Sequence, residues 1–284
     1  MPKHGGHFTL VFILAIMPIL LAVSAFSADL KIETTAVLTA SQQKVFDSLT
    51  TSFRIPSCDS VSLAEGLKRK PPCRMAAYLA PFARWLATKG KTFDETVKDC
   101  AARRDGMDTG ARFSIDLTGV PIAGDETAPV TIVVYISAMC PLCKYLTTDI
   151  YREVTLGALK GKARLLAKPF TAGVADRALL AAAGYGKYWD YITALNNIKM
   201  RPDRPILLRV ADSLGMPKDA FEKLLADTSI MQNLASFRKE GERVGVTMTP
   251  TFFLGGKRYR SYKDPQWVVD AALYENEAIL RVAH

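Results

Sequence analysis

The sequence predicts an α/β protein: a sheet carrying a long helical insertion, preceded by a small all-α domain. Three observations predict it. A β-rich run with few polar side chains, Val130 to Ile136, leads into Cys140-Pro141-Leu142-Cys143. Helical periodicity then holds from 172 to 244. After that block the β signal returns at Thr251 to Leu254, just behind Thr249-Pro250.

The elements follow in chain order. The first 27 residues predict an export signal: Lys3 is the positive n-region, Leu10 to Leu21 the apolar h-region, and Ala25-Phe26-Ser27 a small-x-small cleavage site. The alternative is an uncleaved anchor, since Phe8 to Ala25 is long enough to cross a bilayer. No cysteine stands at the cleavage point, which argues against a lipidated N-terminus.

Residues 28–108 predict the small helical domain, without strand alternation. Ser41 is a candidate cap for a helix carrying Val45, Phe46, Leu49 and Phe53. A loop with Pro56, Cys58 and Pro71-Pro72 leads to a second helix bearing Met75, Leu79, Phe82, Trp85 and Leu86, in which Pro81 predicts a kink. Lys89-Gly90-Lys91 turns the chain, and Thr92 with Glu95 reads as a capping box for a third helix.

Residues 109–284 predict the α/β domain. Phe113 to Asp116 and Val120 to Ile122 read as a short hairpin. Val130 to Ile136 suits a strand covered on both faces. A helix follows Cys140, a further strand is centred on Ala163 to Ala167, and the insertion spans about 172–244. Strand Thr251 to Leu254, a Gly255-Gly256 turn, Arg258 to Arg260 and a helix bearing Trp267, Val268, Ala271 and Leu273 close the chain. The order β–α–β, helical block, β–β–α is that of a thioredoxin-like sheet with a helical insertion.

Composition excludes several chemistries. Cleavage after Ser27 leaves 284 − 27 = 257 residues and, with Lys3 gone, a net charge of 9 − 1 = +8. Lys68-Arg69-Lys70 and Lys257-Arg258 are short clusters that read as solvated turns; a nucleic-acid track needs a longer basic stripe with stacking aromatics, so no nucleic-acid partner is expected. His4 and His7 leave with the signal and only His284 remains. Ser–His and Cys–His nucleophile pairs and His-ligated zinc are thereby excluded, and no metal or other cofactor is expected.

The cysteines carry the chemistry. At a helix start, Cys140 lies near unpaired backbone N–H groups and the positive end of the helix dipole, which favour thiolate over thiol. Cys143, one turn further in, is placed to resolve a mixed disulfide, and Pro141 fits the first turn, where its missing N–H costs nothing. The competing readings are half a zinc site, for which no second CxxC exists, and a structural bridge, which gains little from so small a loop. Taken alone, Pro250 reads as an ordinary trans proline starting an edge strand; in the thioredoxin-like context, Thr249–Pro250 is expected to be cis, beside Cys140, with its backbone free to pair with an extended substrate. Cys58 and Cys73 bracket a loop and are the candidate structural disulfide. Cys100 shares a helix face with Phe93 and Val97 and reads as a buried, inert thiol.

Ala128 to Tyr135 running into Cys140-Pro141-Leu142-Cys143, with Gly184-Tyr185-Gly186-Lys187-Tyr188-Trp189 and Thr249 to Lys257, resembles the DsbA-like thiol–disulfide oxidoreductases over about residues 111–284. The resemblance implies an attacking Cys140, a resolving Cys143 and a cis-proline loop at Thr249-Pro250. Thr249, Pro250, Pro141 and Leu142 are the implied substrate-binding residues. It implies protein substrates bearing thiols or disulfides, a regenerating redox partner in the membrane, and a periplasmic or secreted location, membrane-tethered if the leader is retained. Two departures are specific. Leu142 stands where strongly oxidising members have histidine, and Val134 stands where many have a buried acid, so a milder oxidant is expected. The alternatives are a disulfide isomerase or reductase, the isomerase branch being similar at Thr249, and a non-catalytic peptide-binding or chaperone module.

Overall fold

The computed structural model of the protein describes residues 37–108, 111–259 and 264–282. The expected leader at 1–27, Arg260 and His284 lie outside the described residues. Five strands form the central sheet in the order β3-β5-β4-β6-β7: β3 (Ala123–Gly124), β4 (Val130–Ile136), β5 (Ala163–Pro169), β6 (Thr251–Leu254) and β7 (Lys257–Arg258). The two-stranded ladder of β1 (Arg54–Ile55) and β2 (Val61–Ser62) stands apart. β4 is central and parallel to β5, with Val130 opposite Ala163; the other pairings are antiparallel. Every β4 residue except Thr131 is buried, as an apolar strand covered on both faces must be.

α5 (Pro141–Thr155) leaves the C-terminal end of β4 and packs with α11 (Pro265–Val282) against it. Between β5 and β6 stand α6 (Val174–Ala183), α7 (Tyr188–Asn196), α8 (Arg204–Ser213), α9 (Lys218–Leu224) and α10 (Thr228–Arg243). This insertion is fastened to the sheet by a partly buried carboxylate. Glu240 accepts from the Tyr135 hydroxyl at 2.8 Å, the Lys168 ammonium at 2.6 Å and the Asp116 backbone N–H at 2.6 Å. The Lys168 ammonium is buried, and a desolvated charge of this kind persists only with such supplementary hydrogen bonds.

The N-terminal segment comprises α1 (Ala40–Ser52), the β1/β2 ladder, α2 (Leu63–Lys68), α3 (Arg74–Thr88) and α4 (Phe93–Asp108). α1 is capped by Thr39 rather than Ser41: the Gln42 N–H donates to Thr39 Oγ1 and the Gln42 side chain answers the Thr39 N–H. Thr92 and Glu95 bond reciprocally at the head of α4. The β1/β2 ladder was not expected, because two residues a side are too few to show alternation. Cys58 and Cys73 are joined by a disulfide, with their Cα atoms 5.9 Å apart.

The hairpin expected within 113–122 does not form. Arg112 makes an isolated bridge to Lys257, and Ala123 pairs with Leu165 at the far edge of the sheet. The intervening apolar residues pack on the core instead of on each other: the Phe113 and Phe253 rings meet edge to face at 5.7 Å. Gly119, at φ +84°, passes so close to Phe237 that a Cβ would sit 2.8 Å from its ring.

All described residues fall within one compact unit, Ile32–His284. α3 and α4 meet α11 through Trp267, whose ring lies 4.8 Å from Phe82 and 5.2 Å from Trp85. Arg103 is fully buried there, its guanidinium 4.1 Å from the Tyr78 ring and 4.9 Å from the Trp267 ring, and it donates to the Tyr259 hydroxyl at 3.2 Å. Such desolvated cation–π contacts are among the stronger ones.

Candidate active site

Strand register determines what meets at the end of β4. Thr251 lies opposite Tyr135, so the preceding residues of the antiparallel strand, Pro250 and Thr249, run past the end of β4 toward the turn at Ser137–Cys140. The Thr249–Pro250 peptide bond is cis. Cys140 is the N-cap of α5 and partly exposed; Pro141, exposed, opens the helix, and Leu142 is half-buried. The Cys143 N–H donates to Cys140 Sγ at 3.3 Å, so the first sulfur occupies the place of a capping oxygen at the positive end of a 15-residue helix.

The two sulfurs have different surroundings. Cys143 is fully buried. Burial pushes its thiol up to about 12, and the hydrogen bond with Cys140 adds to this, while the Ser137 backbone and the Thr249 side chain pull the other way. The Thr249 side chain acts on the Cys143 thiol, so the proline loop and the cysteine pair meet in space. Met248, immediately before the proline loop, is 60% exposed.

Two residues not singled out in the sequence also belong here. Asp176, buried at the head of α6, accepts from the Ala138 N–H at 2.8 Å and the Gly173 N–H at 3.0 Å, and from the Thr171 hydroxyl. It ties the insertion to the turn that carries Cys140. Burial raises its carboxyl, and the three donors offset part of that rise. Lys144 follows Cys143 directly and is buried. Helical spacing from Cys140 signals Lys144, whereas only the folded chain signals Asp176. Val134 is fully buried between Ala167 and Phe252, with no carboxylate at that position. Among the described residues, no group of three or more His, Cys, Asp or Glu side chains could hold a metal ion.

A family model described as thioredoxin matches residues 117–271, more than half of the chain. The chain belongs to the thioredoxin family. Its helices α6 to α10 are inserted between β5 and β6 of the thioredoxin-like sheet. A thioredoxin-like oxidoreductase from Silicibacter pomeroyi superposes with a TM-score of 0.50 at 21% identity, over 61% of this chain and 98% of its own. Oxidised BdbD from Bacillus subtilis gives 0.52 at 18% identity, over 59% and 98%. At these identities the likeness is one of fold. In sequence, the Na(+)/H(+) antiporter NhaA 3 of Salinispora tropica is 29% identical over 193 residues, 66% of this chain and 27% of the antiporter. The chain thus spans about a quarter of that curated relative's length. Together these findings give a thioredoxin-like fold carrying a cysteine pair.

Proposed function

We propose that this thioredoxin-family protein is an exported thiol–disulfide oxidoreductase that exchanges disulfides with protein substrates through Cys140 and Cys143. The observation that carries this reading is the asymmetry of the pair: one sulfur partly exposed at a helix head, the other buried behind it. A macromolecular thiolate can reach only Cys140. Its attack on an oxidised Cys140–Cys143 bond forms a mixed disulfide at Cys140 and expels Cys143, which takes up a proton. A second substrate thiolate then attacks the substrate sulfur of that mixed disulfide and expels Cys140. The substrate leaves two electrons poorer and the protein two electrons richer. In reverse, the Cys140 thiolate opens a substrate disulfide and Cys143 resolves the mixed disulfide.

Thr249, Pro250, Pro141 and Leu142 border Cys140 and are the proposed substrate contacts, with Met248 extending an adaptable apolar rim. The reduced protein needs an oxidant, proposed to be a membrane redox partner, in a periplasmic or secreted setting consistent with the leader-like N-terminus. Leu142 cannot hydrogen-bond the thiolate, so the couple is proposed to be milder than that of DsbA-like proteins with histidine there. Antiport, named for the Salinispora relative, calls for membrane-spanning helices; among the described residues no helix is long and apolar enough to cross a membrane.

Trapping tests the exchange. Mixed with a reduced, multi-cysteine protein, the oxidised chain should convert its thiols to disulfides. With a disulfide-bonded protein, reduced Cys143→Ser should accumulate a mixed disulfide at Cys140, and Cys140→Ser should accumulate none. Repair of a scrambled substrate faster than oxidation of a reduced one indicates an isomerase. A peptide-binding activity that survives loss of both cysteines indicates a non-catalytic module.

A further inference from the structure

Lys144 is a buried cation one helical turn from Cys140. Its backbone N–H donates to the Cys140 carbonyl at 3.1 Å, so the two residues stand on the same face of α5. The residue is only 5% exposed. Its ammonium donates to the carbonyl of Leu195 at 2.8 Å, in the last turn of α7, and to that of Ile198 at 3.3 Å, just beyond. Carbonyls at a helix C-terminus carry partial negative charge and suit an ammonium. Among the described residues, no carboxylate forms an ion pair with Lys144. A buried ammonium held by two neutral carbonyls alone is an uncommon expense for a fold.

We propose that Lys144 is a positioning residue for the redox pair: the last turn of α7 holds its charge beside the cysteines, where it favours negative charge on Cys140 and makes the couple more oxidising. The electrostatics agree in sign. Burial pushes the Lys144 ammonium down, and negative charge on Cys140 draws it back up. By reciprocity, the cation favours that charge on sulfur. The effect acts on the reduced state alone, because the disulfide carries no charge. Part of what Leu142 withholds from the thiolate is thereby returned from beneath. The inference rests on Cys140 and Cys143 forming a reversible couple, as proposed above. Without that dependence, the same contacts would make Lys144 a cap for α7 and nothing more.

The full chain and its Lys144→Arg, Lys144→Gln and Lys144→Met variants are equilibrated in glutathione buffers, quenched and alkylated, and the thiols at Cys140 and Cys143 are counted by mass. Removing the charge should lower the ratio of reduced to oxidised pair about tenfold, the low end for a cation beside an ionising group. For two electrons that is about 30 mV toward a more reducing couple. Lys144→Arg, which keeps the charge, should stay near the wild type. Lys144→Gln retains a donor for the carbonyls and carries the test if Lys144→Met does not fold. A reversible wild-type couple with equal ratios in all four proteins overturns this role and leaves Lys144 a cap for α7. A wild type with no reversible couple overturns the oxidoreductase reading and this inference together.

Discussion

At the scale of single residues, the five cysteines fall into three environments. Cys58 and Cys73 are bonded, Cys100 and Cys143 are buried, and Cys140 alone is a partly exposed thiol. In the reduced native protein at neutral pH, iodoacetamide should therefore modify Cys140 and spare Cys100 and Cys143 until denaturant is added, as peptide mass mapping would show. Fast native labelling of Cys100 would contradict its packing. Burial pushes the Cys100 thiol to about 12 from an ordinary 9.0. A raised folded value means that the native state holds its proton more tightly than the unfolded chain does. The associated stability is fully present below pH 9 and is lost as pH climbs toward 12. In the oxidised protein, where Cys143 has no proton to lose, unfolding free energy should fall through that window by up to about 1.4 kcal/mol per pH unit on this account. Cys100→Ala should flatten the slope in denaturant titrations relative to wild type. The buried, inert character of Cys100 was legible in the helical spacing it shares with Val97. The ionic partners of Arg103 and Lys168, Asp270 and Glu240, were not, because they come from residues far away in the chain.

At the scale of elements, local chemistry decides most boundaries and tertiary contact the remainder. Thr92→Ala removes the oxygen that accepts the Glu95 N–H at 3.3 Å and should cost about 1 kcal/mol in thermal or denaturant unfolding. Asp176→Ala strips the partners from the Ala138 and Gly173 N–H groups and should cost about 2 kcal/mol. Asp176→Asn, which keeps the acceptor for Ala138, should cost less; equal losses would mean that this bond contributes nothing. Helices α1, α3, α4, α5 and α11 could be read from periodicity and Gly or Pro punctuation, whereas α6 to α10 read as one helical block whose internal breaks the period did not show. The short strands could not be read. β1, β2, β3 and β7 have two residues each, and whether such a segment pairs depends on which edge passes by. The alternation at 113–122 misled for a related reason: a segment crossing the sheet on its core side alternates as a strand does, yet it bonds to the edges it passes and not to itself.

At the scale of the whole molecule, Trp267 joins the helical N-terminal segment to the sheet's closing helix. Trp267→Ala should cost about 3–5 kcal/mol. Because Phe82, Trp85 and Arg103 meet that ring, far-UV circular dichroism and cysteine protection should report the loss in one transition. Two separate transitions in the wild type would show that the segments fold independently. Replacing both Cys58 and Cys73 by serine reopens a loop with a sequence separation of 15 and should cost about 3 kcal/mol without altering disulfide exchange at Cys140. The fold class was legible in the order of elements, and the meeting of CxxC with Thr249-Pro250 in the DsbA-like resemblance; the antiparallel register of β6 on β4 that produces it comes from the folded chain. The most direct measurement is the redox equilibrium of the wild-type pair in graded glutathione buffers. With alkylation in denaturant after quenching, Cys140 and Cys143 should lose and regain their thiols together, as one two-electron step milder than that of DsbA-like proteins with histidine in the CxxC, while Cys100 counts as one free thiol in every buffer. Two thiols that persist in fully oxidising buffer, or that react independently of each other, would contradict the account.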